Sequence, residues 1–534
     1  MREALPTFSR HIAGTAARSA RVRVRRSRGI TRVDATHDIN IHEESRNVTL
    51  PEARLYIDGR LRRAAGEKTY DNIGPWTGSV VGQAADASAD DVNEAIAAAR
   101  RAFDHTDWSQ RREYRFELMK KYRDLLYANR DKLVQIARLE AGSAIGAAAR
   151  AQIDGALGGM DGLLECFAHV KWEEDRGVRK EYGYDTKRLV LHEAMGVVGA
   201  ITPWNVPLYV NIGKVVAALL AGCTVILKPA PDTPMMGAIM GELAVEAGFP
   251  PGVFNVITSA DPAMAGEMLT KDPRVDLISF TGSTAVGKII MQNGAATLKR
   301  VFLELGGKSA YVVLDDAPNF AQVVMGSMVV FHAGQGCAYP TRLLVPKSRY
   351  AEAVKALEMA YAGFSTKWGH FDEPTCIMGP LISKKQLNRV LSYVEIGQSE
   401  GARLLAGGKA RPDMGGGFFI EPTCFVDVRN DMRVAQEEIF GPVLVVIPYE
   451  DDADAIRIAN DSIYGLGGAI FGSTERALQV ARGIRAGALS VNGGVSITGD
   501  LPFGGYKQSG MGREWGREGI EEFLEVKAIG IRAS

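Results

Sequence analysis

Several things are scarce in this 534-residue chain, and each scarcity removes a class of function. Charge of neither sign is in excess: 63 basic residues meet 63 acidic ones, so the formal net charge is zero. That balance leaves no electrostatic footprint for nucleic acid or for an acidic membrane surface. Cysteine is sparse and odd in number, at Cys166, Cys223, Cys337, Cys376 and Cys424. No CxxC occurs, and the spacing matches neither a disulfide framework nor a zinc site, which fits a reducing compartment. The eight histidines are scattered without an HxxxH pair, so no metal is expected. Long hydrophobic runs are missing too. The longest, between Lys214 and Lys228, is shorter than the roughly 20 residues that cross a bilayer, and Gly222-Cys223-Thr224 breaks it. No membrane span is expected, and the chain reads as cytoplasmic.

What remains is ordinary globular composition, 46% hydrophobic and 24% charged, in a chain long enough for two or three domains. The first 53 residues differ. From Arg18 to Arg32 the chain is Arg-rich and carries no acid. It reads either as an organelle transit peptide or as an extension without structure, the second being preferred. In both readings residues 1–53 stand outside the fold.

Ordered sequence is expected from Leu55-Tyr56-Ile57, a short strand before the Asp58-Gly59 turn. Ser88 and Asp91 form a capping-box pattern, after which Val92, Ala95, Ile96, Ala99 and Phe103 recur at helical spacing. Asn211 to Leu220 reads as a helix that Gly222 stops, and Thr224 to Leu227 as a buried strand. A second strand, Asp276 to Phe280, runs into Thr281-Gly282 and a helical pattern. Strands alternating with helices predict an α/β fold with a parallel sheet covered on both faces.

Four segments carry chemistry, and each alone has a bland alternative. In Phe331-His332-Ala333-Gly334-Gln335-Gly336-Cys337 a flanking glycine lets a carbonyl approach the sulfur, and a helix N-terminus could lower the thiol pKa. A lone cysteine is also a common core residue. Glu304, in Leu303-Glu304-Leu305-Gly306-Gly307-Lys308, sits among apolar residues that would raise its pKa toward that of a general base. Taken in isolation it reads rather as a surface carboxylate at a strand end. Asn205, in Thr202-Pro203-Trp204-Asn205-Val206-Pro207, could aim an amide donor at an oxyanion, or simply occupy a Pro-rich turn. Phe280 to Gly287, through Gly282 and Ser283, offers strand, turn and helix start to a pyrophosphate. It is not a GxGxxG fingerprint, and any tight strand-to-helix turn could look the same.

Together and in this order, these segments resemble the aldehyde dehydrogenase superfamily from about Leu55 to Ile531. The tail Pro502 to Glu514 (PFGGYKQSGMGRE), Gln436 to Pro442 (QEEIFGP) and Leu227-Lys228-Pro229 complete the match. The resemblance implies a Rossmann-like nucleotide-binding domain (residues 54–179 and 195–305) and an α/β catalytic domain (306–508). A small β oligomerisation arm (180–194 and 515–534) would join subunits into a homodimer or homotetramer. By the same resemblance Cys337 is the nucleophile, Asn205 an oxyanion donor, Glu304 the base, and Lys214 an electrostatic or proton-relay residue. Lys228, Trp204, Gly282, Ser283, Gly287, Glu438 and Phe440 would hold the nicotinamide cofactor, and Gly213 and Phe503 would line the aldehyde tunnel.

Three departures from common members of that family matter. Pro231 stands where many NAD-preferring relatives carry Glu, so NAD is expected with NADP as the alternative. Gly336, Ala338 and Gly213 are small around the nucleophile and tunnel, which implies a substrate larger than acetaldehyde and largely apolar. His332 replaces a frequent Asn and reads as a hydrogen-bonded scaffold residue. The rivals are an acylating, CoA-dependent relative, disfavoured by Glu304, and a non-catalytic binding protein, disfavoured by the joint presence of Cys337, Glu304 and Asn205.

Overall fold

The computed structural model describes residues 48–364 and 368–532. The reading of the N-terminal extension falls, as far as residue 47, outside these. The chain joins the fold slightly earlier than residue 54: Leu50 is buried and donates to the Val81 carbonyl, and Ala53 bridges Ala84.

Two sheets dominate. The first has eight strands, in the order Gly510–Met511, Arg300–Glu304, Leu277–Thr281, Val197–Ile201, Thr224–Lys228, Phe254–Val256, Leu55–Ile57, Arg60–Arg62. Its five middle strands are parallel, and Val197–Ile201, Thr224–Lys228 and Leu277–Thr281 are buried along their whole length. Such strands need apolar side chains on both faces, which is why they read as continuous runs rather than alternations. The expectation of a parallel sheet is correct for this centre and wrong at the edges. Leu55–Ile57 and Gly510–Met511 pair antiparallel, because they arrive from the N-terminal strand pair and from the C-terminal tail rather than through crossover helices. The second sheet, of seven strands between residues 309 and 491, is parallel except for Arg403–Ala406.

A third sheet of three antiparallel strands, Glu173–Glu181, Tyr184–Ala194 and Leu524–Arg532, is largely exposed. Its first strand begins before residue 180, where alternating charge hid it from a reading based on strand propensity.

Local signals set the helices. Ser88 Oγ accepts from Asp91 N while the Asp91 carboxylate accepts from Ser88 N, the reciprocal cap on helix Ala89–His105. Helix Pro207–Ala221 starts with Pro in its first turn and ends at Gly222, whose φ of +101° closes it. That stop turns the chain into Thr224–Lys228 and fixes where the helix's other end, next to Asn205, meets the sheet.

Candidate active site

The carboxyl ends of the parallel strands of the first sheet face a cavity of about 970 Å³. This is the crevice where open α/β sheets bind ligands. Val197–Ile201 delivers Trp204 and Asn205 to it, Leu277–Thr281 delivers Gly282 and Ser283, and Arg300–Glu304 ends on Glu304 itself. From the second sheet's side, the turn ahead of strand Pro340–Pro346 brings Cys337, and the segment before Val443–Tyr449 brings Glu438 and Phe440. Phe503 and Glu514 close it from the C-terminal tail. Segments remote in sequence thus converge on one cavity.

Cys337 is half-buried and lies in a turn, not at a helix N-terminus. The expected lowering of its pKa does not follow from this geometry. Burial pushes the thiol well above its usual value, and the carboxyls of Glu304, Glu438 and Glu514 push the same way. Ahead of it the backbone runs through left-handed conformations at His332 and Ala333, with φ of +47° and +51°. Such residues persist only where the surroundings over-determine them. Here Gln335, fully buried, accepts from Ile382 N and donates to the carbonyls of His332 and Pro380. Asn205 adds a bond from its Nδ2 to the Gln335 carbonyl at 3.0 Å. One amide N–H of Asn205 is therefore committed to holding the turn that carries Cys337. His332 is buried, with Nδ1 3.5 Å from Ser143 Oγ, and burial lowers its pKa to about 4.

Glu304 is 2% exposed, which rules out a surface role, and its Oε1 has no hydrogen-bond partner among the described residues. Burial raises its pKa well above the carboxylate range, Glu514 adds to the rise, and Lys214 and Arg513 oppose it. Lys214 is wholly buried behind the cavity. Its Nζ lies 2.5 Å from Glu514 Oε1 and 3.1 Å from Ser279 Oγ, over the Phe302 ring. Glu514 lies within the tail motif that marks the resemblance, yet no spacing rule connects it to a lysine 300 positions away.

The residues expected at the cofactor lie as follows. Ser283 caps helix Thr284–Gly294, and a Cβ on Gly282 would run into the Phe280 ring. A Cβ on Gly287 would stand 2.7 Å from Leu305, so this glycine lets the helix close on the sheet. Glu438 accepts from Gly307 N at 2.9 Å, and the Phe440 and Trp204 rings meet edge to face at 5.3 Å. Lys228 is buried outside the cavity lining. Its ammonium donates to the Pro229 carbonyl at 3.5 Å, and burial lowers its pKa to about 8.

The tunnel differs most from expectation. Gly213 does not line the cavity, because Trp515 fills the space beside it: a Cβ there would stand 3.0 Å from the indole. The same ring packs on Gly159, where a Cβ would be 2.7 Å away, and lies against Tyr209 with centroids 4.5 Å apart. Gly336 likewise makes room for the Tyr339 ring, which a Cβ would meet at 2.6 Å. Both glycines admit aromatic rings of the protein instead of widening the tunnel. Tyr209, Tyr339 and Trp515 were not legible as site residues, since nothing in their spacing tells which ring turns into a glycine.

Among the described residues no group of three or more His, Cys, Asp or Glu side chains is arranged to hold a metal ion. Among the described residues no helix is long and apolar enough to cross a membrane.

Comparison with known proteins accords with this architecture. The aldehyde dehydrogenase family model matches residues 62–529. A putative aldehyde dehydrogenase of Staphylococcus saprophyticus is 40% identical over 482 residues, covering 89% of this chain and 98% of that protein. A 3-succinoylsemialdehyde-pyridine dehydrogenase of a Pseudomonas species is 40% identical over 480 residues, with the same coverage. Among solved structures, betaine aldehyde dehydrogenase of Staphylococcus aureus in complex with NAD+ superposes with a TM-score of 0.86. It is 35% identical and covers 92% of this chain and 97% of that one. A mutant aldehyde dehydrogenase C of Pseudomonas syringae with NAD+ and octanal gives 0.82 at 38% identity, covering 89% and 96%. With the family model spanning nearly all of the described fold, the chain belongs to the aldehyde dehydrogenase family.

Proposed function

We propose that the protein oxidises an aldehyde to a carboxylic acid with NAD, through a thioester on Cys337. The observation that carries this reading is one cavity lined by Cys337, Asn205 and an unpaired, pKa-raised Glu304. The Cys337 thiol first loses its proton to solvent, and the thiolate sulfur then attacks the carbonyl carbon. The oxyanion is held by the Cys337 backbone N–H, which donates to no carbonyl among the described residues, and by the second amide N–H of Asn205. Bound NAD supplies the hydride acceptor that turns the thiohemiacetal carbon into a thioester carbonyl. Glu304 then takes a proton from water, the water oxygen adds to the thioester, and the sulfur leaves as the acid is released. Lys214 acts through Glu514 and the field at Glu304, as an electrostatic residue.

Residues suited to the cofactor are Ser283 and Gly282 at the helix start, Gly287 behind them, Glu438, and the Trp204–Phe440 pair. Lys228 fits because its buried ammonium makes no ion pair with a described carboxylate and suits a ribose hydroxyl. Pro231 places no carboxylate against a 2′-phosphate, so NADP stays the alternative. We assign residues 54–179 and 195–305 to nucleotide binding and 306–508 to catalysis. The exposed three-stranded sheet serves as the arm of a homodimer or homotetramer, and the compartment is the cytoplasm.

The substrate proposed is a larger, largely apolar aldehyde. Its support is now the size and mainly apolar lining of the cavity, not the small residues at 213 and 336. The octanal of the Pseudomonas syringae complex is consistent with it. The test is reduced-cofactor formation with NAD and NADP separately, across aliphatic and aromatic aldehydes, with acid and thioester products assayed with and without CoA. Free acid made without CoA, and lost in Cys337→Ala, supports the reading; acyl-CoA as the product would replace it.

A further inference from the structure

Two phenol hydroxyls in the cavity have no task in the mechanism above. Tyr209 lines the cavity from helix Pro207–Ala221, and its hydroxyl is buried without a hydrogen-bond partner among the described residues. Burial holds it neutral, and Glu514, Glu304 and Cys337 act on it electrostatically in the same direction. Tyr339 lines the same cavity two residues beyond the nucleophile, with its ring laid over Gly336 and Phe331 edge-on at 6.2 Å. Its hydroxyl likewise makes no hydrogen bond to a described residue, and its electrostatic neighbour is Cys337.

A buried hydroxyl left without a partner costs about 1–3 kcal/mol, so such groups are rarely retained without one. Phenylalanine would fill the Tyr209 space without that cost, while the Tyr339 hydroxyl, also without a partner among the described residues, is not among the fully buried ones. The surroundings show that the rings are placed rather than accommodated by chance. Trp515 holds Tyr209 from behind, seated between Gly159 and Gly213, and does so from a backbone φ of +63°. That conformation is unfavourable for a bulky residue and persists only through dense packing. Tyr339 needs Gly336 in the same way, since any side chain there would displace it. Among the other lining side chains, Val206, Val210, Ala338 and Phe503 are apolar, while the hydroxyls of Thr281 and Thr498 also lack a partner among the described residues.

We infer that Tyr209 and Tyr339 are specificity-determining residues that recognise an oxygen on the substrate. The substrate class is then an aldehyde with an apolar body bearing an ether, hydroxyl or carbonyl oxygen within a few bonds of the aldehyde carbon. This rests on the aldehyde-oxidising reading of the same cavity and deepens it. A site built around hydrogen-bonding groups rejects analogues that leave them unpaired, whereas an apolar wall discriminates weakly.

The test uses three matched pairs: ortho-, meta- and para-methoxybenzaldehyde, each against the ethylbenzaldehyde of the same substitution. The readout is the ratio of kcat/KM within a pair, for wild type, Tyr209→Phe and Tyr339→Phe. A general loss of folding or rate cancels in that ratio. In wild type at least one methoxy isomer is favoured by roughly five- to tenfold, the size of one neutral hydrogen bond. That preference falls toward one in at least one of the two variants. Ratios near one for every pair in wild type would overturn the inference, as would a preference unchanged in both variants. Those results would leave the aldehyde-oxidising reading intact, because turnover itself would be present. Absence of acid from all six aldehydes would overturn that reading, and this inference with it.

Discussion

Lys214 Nζ lies 2.5 Å from Glu514 Oε1, joining the middle of a core helix to the C-terminal tail across 300 positions of sequence. Both side chains are buried, so the pair acts in a weakly screened setting, and the two partners affect Glu304 with opposite sign. Glu514 raises the Glu304 pKa and Lys214 lowers it. In Glu514→Gln the pH at which the thioester-hydrolysis rate reaches half its plateau should therefore move to lower pH. In Lys214→Met it should move to higher pH. Steady-state kcat against pH in the two variants checks this, and shifts in the same direction would contradict it. Each single variant should also lose roughly 3–5 kcal/mol of stability, because each leaves a buried charge unpaired.

Gly213→Ala should be destabilising by about 1–3 kcal/mol, as a methyl 3.0 Å from Trp515 over-packs a site with no slack. Gly266 lies in helix Pro262–Lys271 with nothing near the position of a Cβ. There Gly266→Ala should stabilise by about 0.5–1 kcal/mol through reduced unfolded-state entropy and better helix propensity. Urea unfolding of the two proteins checks the pair. Equal effects would mean that the Trp515 seat is looser than it looks.

Stability is expected to fall in mild acid because of His332. Its pKa drops from 6.5 to about 4 on burial, so between those values the unfolded chain binds a proton that the folded chain refuses. The contribution is whole above pH 6.5 and is lost as pH falls toward 4. Over that window it amounts to about 3 kcal/mol at 1.36 kcal/mol per unit. His332→Gln should flatten this part of the stability-against-pH curve, measured by urea midpoints from pH 4 to 7. An unchanged slope would assign the acid sensitivity elsewhere.

With its pKa raised by burial and by neighbouring carboxyls, the free-enzyme Cys337 thiol should be mostly protonated at neutral pH. Its alkylation by iodoacetamide should then accelerate about tenfold per pH unit between 7 and 9, following the thiolate fraction. Peptide mapping separates it from Cys166, Cys223, Cys376 and Cys424, which are buried. A rate independent of pH in that range would show a thiolate already formed.

Much of the site was legible because its parts sit in short, chemically constrained segments. Asn205 between two prolines, Glu304 before two glycines and the turn ending in Cys337 all enter the cavity where strands end. The helix stop at Gly222 and the cap at Ser88 were legible for the same local reason. What could not be read is what depends on distant packing. Gly213 and Gly336 look like vacant space in sequence, and only the folded chain shows Trp515 and Tyr339 filling it. The charge pair Lys214–Glu514 has no periodic signature, since helix and tail meet only after the sheet has formed. The antiparallel edges of the first sheet escaped too, because Gly510–Met511 is too short to show a strand pattern.

The central claim is that Glu304 hydrolyses a thioester carried by Cys337, and mass spectrometry of Glu304→Gln tests it most directly. That protein, incubated with NAD and a turned-over aldehyde and quenched in acid, should carry the acyl mass on the peptide containing Cys337. An unmodified Cys337 peptide, alongside undiminished acid formation, would contradict the account.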